Sequence, residues 1–141
     1  MTAPAGVSVD PPLALLAELT HRCPLRCPYC SNPLDLQRAS AELDTATWRR
    51  VFAEAAALGV LQVHFSGGEP LVRRDLIELV GHATKAGLYV NLITSGIRLD
   101  GDRLSRLVEA GLEYVQLSLQ DSEPGSGDRI ARRCRSRRCR S

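Results

Sequence analysis

Apolar residues along this chain follow two spacings that take turns. Leu13 to Leu19 is a short apolar run of strand length, and runs of the same kind recur at 60–65, 88–93 and 114–119. Between them the period lengthens to three and four residues, as one face of a helix requires. Trp48, Val51, Phe52, Ala55 and Leu58 form the first such series; Asp44 or Thr45 is its N-cap and Gly59 its stop. Leu76, Ile77, Leu79, Val80 and Ala83 form the second, within 74–86 and ended by Gly87; a third runs from Asp100 through Leu104, Leu107 and Val108 to Gly111. Strands alternating with helices through short glycine-marked loops predict an α/β fold, a parallel sheet of four strands with three helices and right-handed crossovers.

In such sheets ligands lie beyond the carboxyl ends of the strands. Four polar segments fall there: a cysteine-bearing stretch after the first strand, Ser66 to Glu69 after the second, Thr94-Ser95-Gly96 after the third, and Ser118 with Gln120 and Asp121 after the fourth. Each has an ordinary structural reading, since serine, threonine and glycine are turn residues and a hydroxyl often bonds its own backbone. Four of them on one rim is the pattern of a ligand site.

Length changes the picture of the barrel. A closed ring of βα units takes about 250 residues, and this chain has 141, of which 44% are hydrophobic. The expectation is a partial (β/α) barrel of TIM type with an open strand edge, and nothing after Ser122 reads as a further element. The chain divides into an N-terminal extension, 1–12, a folded core, 13–131, and a tail, 132–141. The tail carries six arginines, two cysteines and no acid, and without it the formal charge falls from +2 to −4. It reads as an arginine arm for nucleic acid, as a metal-binding tail, or, the favoured reading, as a disordered or frameshifted end. That last reading rests on arginine dominance, with Lys85 the single lysine. Met1 to Pro12 lacks the basic start of a secretory signal, and no run of about twenty apolar residues is present.

The most specific chemistry is in Cys23-Pro24-Leu25-Arg26-Cys27-Pro28-Tyr29-Cys30, a C-x3-C-x2-C spacing. Three thiolates can hold three corners of a cubic iron–sulfur cluster, whereas a fully ligated cluster takes four cysteines. The fourth iron is then open to a small molecule. Structural zinc is the rival: it needs four ligands, with His21 and His64 as candidates for the fourth. A zinc-stabilised module with an arginine arm would be a binding protein and not an enzyme. The second motif is Phe65-Ser66-Gly67-Gly68-Glu69-Pro70. Paired glycines let a ligand approach the backbone closely; carbonyls and a carboxylate there can receive an ammonium group. Pro70 ends the strand and can open a helix at Leu71 or Val72.

These two motifs, with Tyr29 just before the last cysteine, resemble the signature of the radical S-adenosylmethionine (SAM) enzymes. The phrases 27–33, 65–71 and 115–121 resemble more narrowly the branch that crosslinks a small precursor peptide in pyrroloquinoline quinone biosynthesis, over residues 10 to 131. The resemblance implies a [4Fe–4S] cluster on Cys23, Cys27 and Cys30. It also implies a SAM site drawing on Tyr29, Gly67, Gly68, Glu69, Pro70, Thr94, Ser95 and Ser118. It implies a radical reaction joining a glutamate and a tyrosine of the precursor peptide PqqA through a carbon–carbon bond, with a carrier protein, PqqD, and an electron donor such as flavodoxin as partners. Neither a membrane nor a nucleic acid is expected as a partner, and the location implied is cytoplasmic. Full-length relatives continue with more barrel and a cysteine-rich domain, so the chain alone is expected to be inactive. Other radical SAM peptide-maturation or cofactor-biosynthesis enzymes share the two motifs.

Overall fold

A computed structural model of the chain describes residues 10–30 and 41–131. The four predicted strands are β1 (Ala14–Thr20), β2 (Gln62–Gly67), β3 (Tyr89–Thr94) and β4 (Leu112–Leu117). They form one sheet in the order β1-β2-β3-β4, every neighbouring pair parallel. Helices α1 (Thr45–Ala57), α2 (Leu76–Lys85) and α3 (Gly101–Glu109) lie between successive strands. This is the partial βα barrel that the alternation predicts. The tail, 132–141, and the N-terminal residues 1–9 lie outside the described residues.

Ala17, Leu19, Val63, Phe65, Val90 and Leu92 supply the sheet side of the core, and Phe52, Leu76, Leu79, Val80, Ala83 and Leu107 the helix side. Phe52 is fully buried and its ring stacks at 5.6 Å on Trp48 and 5.5 Å on Phe65, locking α1 to β2. Alternate strand residues occupy the other face of the sheet, as the two-residue period demands. There Leu16 and Tyr114 remain 60% and 57% exposed, while His64 Nδ1 and Asn91 Nδ2 pair at 3.3 Å across β2 and β3. That face is the inner wall of the partial barrel.

Several boundaries differ from expectation. Among the described residues there are four helices, not three: α4 runs from Pro124 to Ala131. Its first turn, Pro-Gly-Ser-Gly, reads as a loop, because glycine costs a helix about 1 kcal/mol relative to alanine. It forms because Pro124 suits a first helical position, Asp121 accepts from the Glu123 amide at 3.2 Å, and Ala131 is buried at the other end. The second helix starts later than Arg74. Pro70 opens only a single 3-10 turn, Pro70–Val72, and Arg73 is extended, so α2 begins at Leu76. The fourth strand starts two residues earlier than the hydrophobic run suggests and ends at Leu117, leaving Ser118 just past it. Asp44 is the N-cap of α1, accepting from Thr47 N at 2.8 Å.

One residue of α2 is poorly chosen for a helix. Gly81 lies mid-helix with nothing within 4 Å of where a Cβ would stand. Gly81→Ala should stabilise the fold by about 1 kcal/mol, read as a higher urea midpoint at unchanged m-value.

Candidate functional site

The four polar segments do converge on the carboxyl edge of the sheet, held together by bonds between loops. Glycine-68 N donates to the Thr20 carbonyl at 2.6 Å, and Glu69 N to the Arg22 carbonyl at 2.8 Å. The turn after β2 is thus bonded to the first residues of the cysteine loop. Ser118 N donates to Thr94 O at 2.9 Å, joining the ends of β3 and β4. Arg26 N donates to Ala131 O at 3.0 Å, and the Cys27 thiol reaches the same carbonyl at 3.9 Å, so α4 props the cysteine loop.

The paired glycines serve a purpose that the sequence does not reveal. Gly67 has φ +115°, a region that side chains other than glycine's rarely tolerate. A Cβ on it would run into the Thr20 carbonyl oxygen. On Gly68 a Cβ would collide with the Arg22 carbonyl and stand 2.7 Å from that of His21. The close approach is therefore to the backbone of the cysteine loop itself.

Glu69 is completely buried. One carboxylate oxygen accepts from Leu71 N at 3.1 Å and Thr94 Oγ1 at 2.6 Å; the other accepts from Ser95 N at 2.9 Å and from the Ser95 hydroxyl. Four donors satisfy a buried carboxylate, which would otherwise be costly to desolvate. Glu69, Thr94 and Ser95 thus form one unit that joins the turns after β2 and β3, with Pro70 buried next to it. Ser118 is exposed at the rim. Tyr29 is 64% exposed; residual desolvation, then the neighbouring Cys27 thiol, pushes its phenol up.

Cys23 and Cys27 are part-buried and Cys30 exposed. Burial pushes the Cys23 thiol up to about 11, against the Leu25 amide that donates to its sulfur at 3.4 Å; Glu69, Cys27 and Cys30 push it further. The three thiols are therefore within electrostatic reach of one another. Among the described residues no three His, Cys, Asp or Glu side chains converge as a metal cage. The donor chemistry nonetheless fits an iron–sulfur cluster: three soft thiolate donors on one loop whose mutual repulsion bound iron would relieve. Of the two candidate fourth ligands for zinc, His64 is paired with Asn91 on the inner wall, and His21 lies next to Thr20 at the root of the cysteine loop.

Two further side chains belong to the site's frame, and no motif announces them. Glu42 accepts from Thr20 Oγ1 at 2.5 Å and His21 N at 3.3 Å, and pairs with Arg22 at 3.7 Å. Arg73 is buried and reaches backbone on both sides of the cysteine loop.

A parallel βα sheet with three cysteines on the loop after its first strand, and a glycine-rich turn bonded to that loop, agrees with a class of SAM-dependent iron–sulfur enzymes. The Radical SAM superfamily model matches residues 17–140, and the chain belongs to that family. Within it, the chain is 62% identical over 127 residues to a PqqA peptide cyclase of Methylocella silvestris, and 63% identical over 121 residues to one of Gluconobacter oxydans. Those alignments cover 90% and 86% of this chain but 34% of each relative, so the chain spans about a third of their length. Among solved structures, Streptococcus suis SuiB bound to S-adenosylmethionine matches 84% of this chain and 28% of its own, with TM-score 0.70 and 24% identity. BtrN in complex with AdoMet and 2-DOIA matches 91% and 53%, with TM-score 0.68 and 22% identity. These two are likenesses of fold. Family membership implies SAM and an iron–sulfur cluster as cofactors. Among the described residues no helix is long and apolar enough to cross a membrane.

Proposed function

We propose that this chain is the cofactor-binding part, residues 13–131, of a radical SAM peptide cyclase of pyrroloquinoline quinone biosynthesis. Cys23, Cys27 and Cys30 would hold a [4Fe–4S] cluster, three thiolates for its four irons. When bound, the cluster and SAM supply a 5′-deoxyadenosyl radical. The observation that carries this reading is the pair of backbone bonds from Gly68 and Glu69 to Thr20 and Arg22, which fixes the glycine turn against the root of the cysteine loop.

The chain's own residues bind and orient. Carbonyls of Gly67 and Gly68 would receive the methionyl ammonium, and the buried Glu69 carboxylate bonds that turn to Thr94 and Ser95. Backbone at Tyr29 would approach the adenine, and Ser118 would offer a polar contact at the rim. The substrate proposed, from the names of the 62–63% identical relatives, is a PqqA-type peptide whose glutamate and tyrosine become joined by a carbon–carbon bond. A PqqD-type carrier and a flavodoxin-type reductant are the partners, in the cytoplasm. The inner wall of the four strands leaves Leu16 and Tyr114 exposed, an apolar surface beside the cofactor rim.

Anaerobic reconstitution with iron and sulfide tests this. The chain should become brown and, given SAM and dithionite, release 5′-deoxyadenosine. Cys27→Ser should lose both properties while keeping its circular dichroism. A colourless protein that takes up one zinc ion and ignores iron and sulfide would overturn the reading.

A further inference from the structure

Strand β1 does not end regularly. Glu18 is opposite Ser66 and Thr20 opposite Gly67, so Leu19 is an extra residue, a β-bulge, at the point where the chain turns into the cysteine loop. Bulges bend a strand and release a backbone group from the ladder. Here the Leu19 carbonyl accepts from Arg73 Nη1 at 2.7 Å. The same guanidinium grips the far side of the loop: Nη1 and Nη2 donate to the Leu43 carbonyl at 3.1 and 3.2 Å. Its remaining donors form a fork on Asp75, from Nε at 2.9 Å and Nη2 at 2.6 Å. Asp75 also accepts from Thr45 Oγ1, in the first turn of α1, at 2.7 Å. All five N–H groups of the guanidinium are used, a planar pattern that a lysine ammonium with three donors cannot reproduce.

We propose that Arg73 is a positioning residue for the iron-binding loop, acting through Leu19 and Leu43. Its fork sets the separation of the two stems between which Cys23, Cys27 and Cys30 are presented. The same segment fixes the loop's start a second way, through the amides of Gly68 and Glu69. A stretch from Gly67 to Asp75 therefore holds the root of the loop by backbone on one side and by Arg73 on the other. The inference rests on the cluster reading above.

The test compares two variants of the full chain, Arg73→Lys and Asp75→Asn. Arg73→Lys loses the planar fork on both carbonyls; Asp75→Asn leaves the bonds to Leu19 and Leu43 and weakens the anchor behind them, together with the bond from Thr45. Each is reconstituted anaerobically, and iron content, the electron paramagnetic resonance (EPR) line shape of the reduced cluster, its response to SAM and the urea midpoint are measured. Arg73→Lys should show lowered iron retention and a broadened, altered signal, and Asp75→Asn a wild-type signal, even where both lose similar stability. Wild-type line shape and iron content in Arg73→Lys, or equal spectral damage in both variants at equal stability, would overturn the proposal. If Arg73→Lys does not fold, the double variant Arg73→Met/Asp75→Leu, which removes both charges together, replaces it and is read in the same way. A wild-type chain that binds no cluster counts against the parent reading and is thereby distinguished from failure of Arg73 alone.

Discussion

Gly68→Ala is expected to detach the cysteine loop from the sheet and with it to abolish cluster uptake. A Cβ at residue 68 would overlap the Arg22 carbonyl and lie 2.7 Å from that of His21. Both obstacles are backbone, so no side chain can rotate away. The Gly68 and Glu69 amides would lose their partners at Thr20 and Arg22 as the strands part. Overpacking of this kind costs about 1–3 kcal/mol, and two buried amides left unpaired add to it. The contrast with Gly81→Ala, which meets open space, separates the two uses of glycine. One variant should lower the urea midpoint and leave the protein colourless after reconstitution; the other should raise the midpoint and leave colour unchanged.

Glu69→Ala is the second large effect expected. Removal of the carboxylate strands the Thr94 hydroxyl and the Leu71 amide in a buried site, and the Ser95 hydroxyl and amide in a part-buried one. Leaving buried donors unsatisfied costs about 1–3 kcal/mol each before water or rearrangement repairs some of them; a total loss of about 3 kcal/mol is expected, seen in equilibrium unfolding. Glu69→Gln keeps one oxygen and should lose less, because two of the four donors retain an acceptor. Both variants should also weaken the SAM-induced spectral change, since the turn that faces the methionyl amine no longer has a fixed partner on β3. Unfolding and SAM response together distinguish this role from a direct contact with the ammonium, which would impair SAM binding in Glu69→Gln without comparable loss of stability.

The elements that carry these effects were unequally legible. Helices α1 and α2 bury one face each, and α3 buries Leu107 while Leu104 and Val108 stay exposed; their apolar spacing showed in the chain, as did the alternation that places four polar segments at one edge. Helix α4 did not show, because its glycines and proline spell a turn; burial of Ala131 and the bond from Arg26 to its carbonyl hold it in place. Gly67 and Gly68 were recognisable as a tight approach, but its object was not: the neighbour is the cysteine loop, separated by more than forty residues of sequence. Arg73 was invisible for the same reason. Its partners at Leu19 and Leu43 are carbonyls, which every residue has, and only the fold brings them to one guanidinium. Glu69 stood out as a candidate ligand-binding carboxylate, while its bonds to Thr94 and Ser95 depended on the pairing of β2 with β3.

Mössbauer spectroscopy of anaerobically reconstituted, 57Fe-labelled chain, with and without SAM, bears most directly on the whole account. A cubane tied down at Cys23, Cys27 and Cys30 has one iron unlike the others, and SAM should shift that iron's isomer shift and quadrupole splitting while the rest stay put. Spectra with no cubane, or a cubane whose irons all ignore SAM, would contradict it.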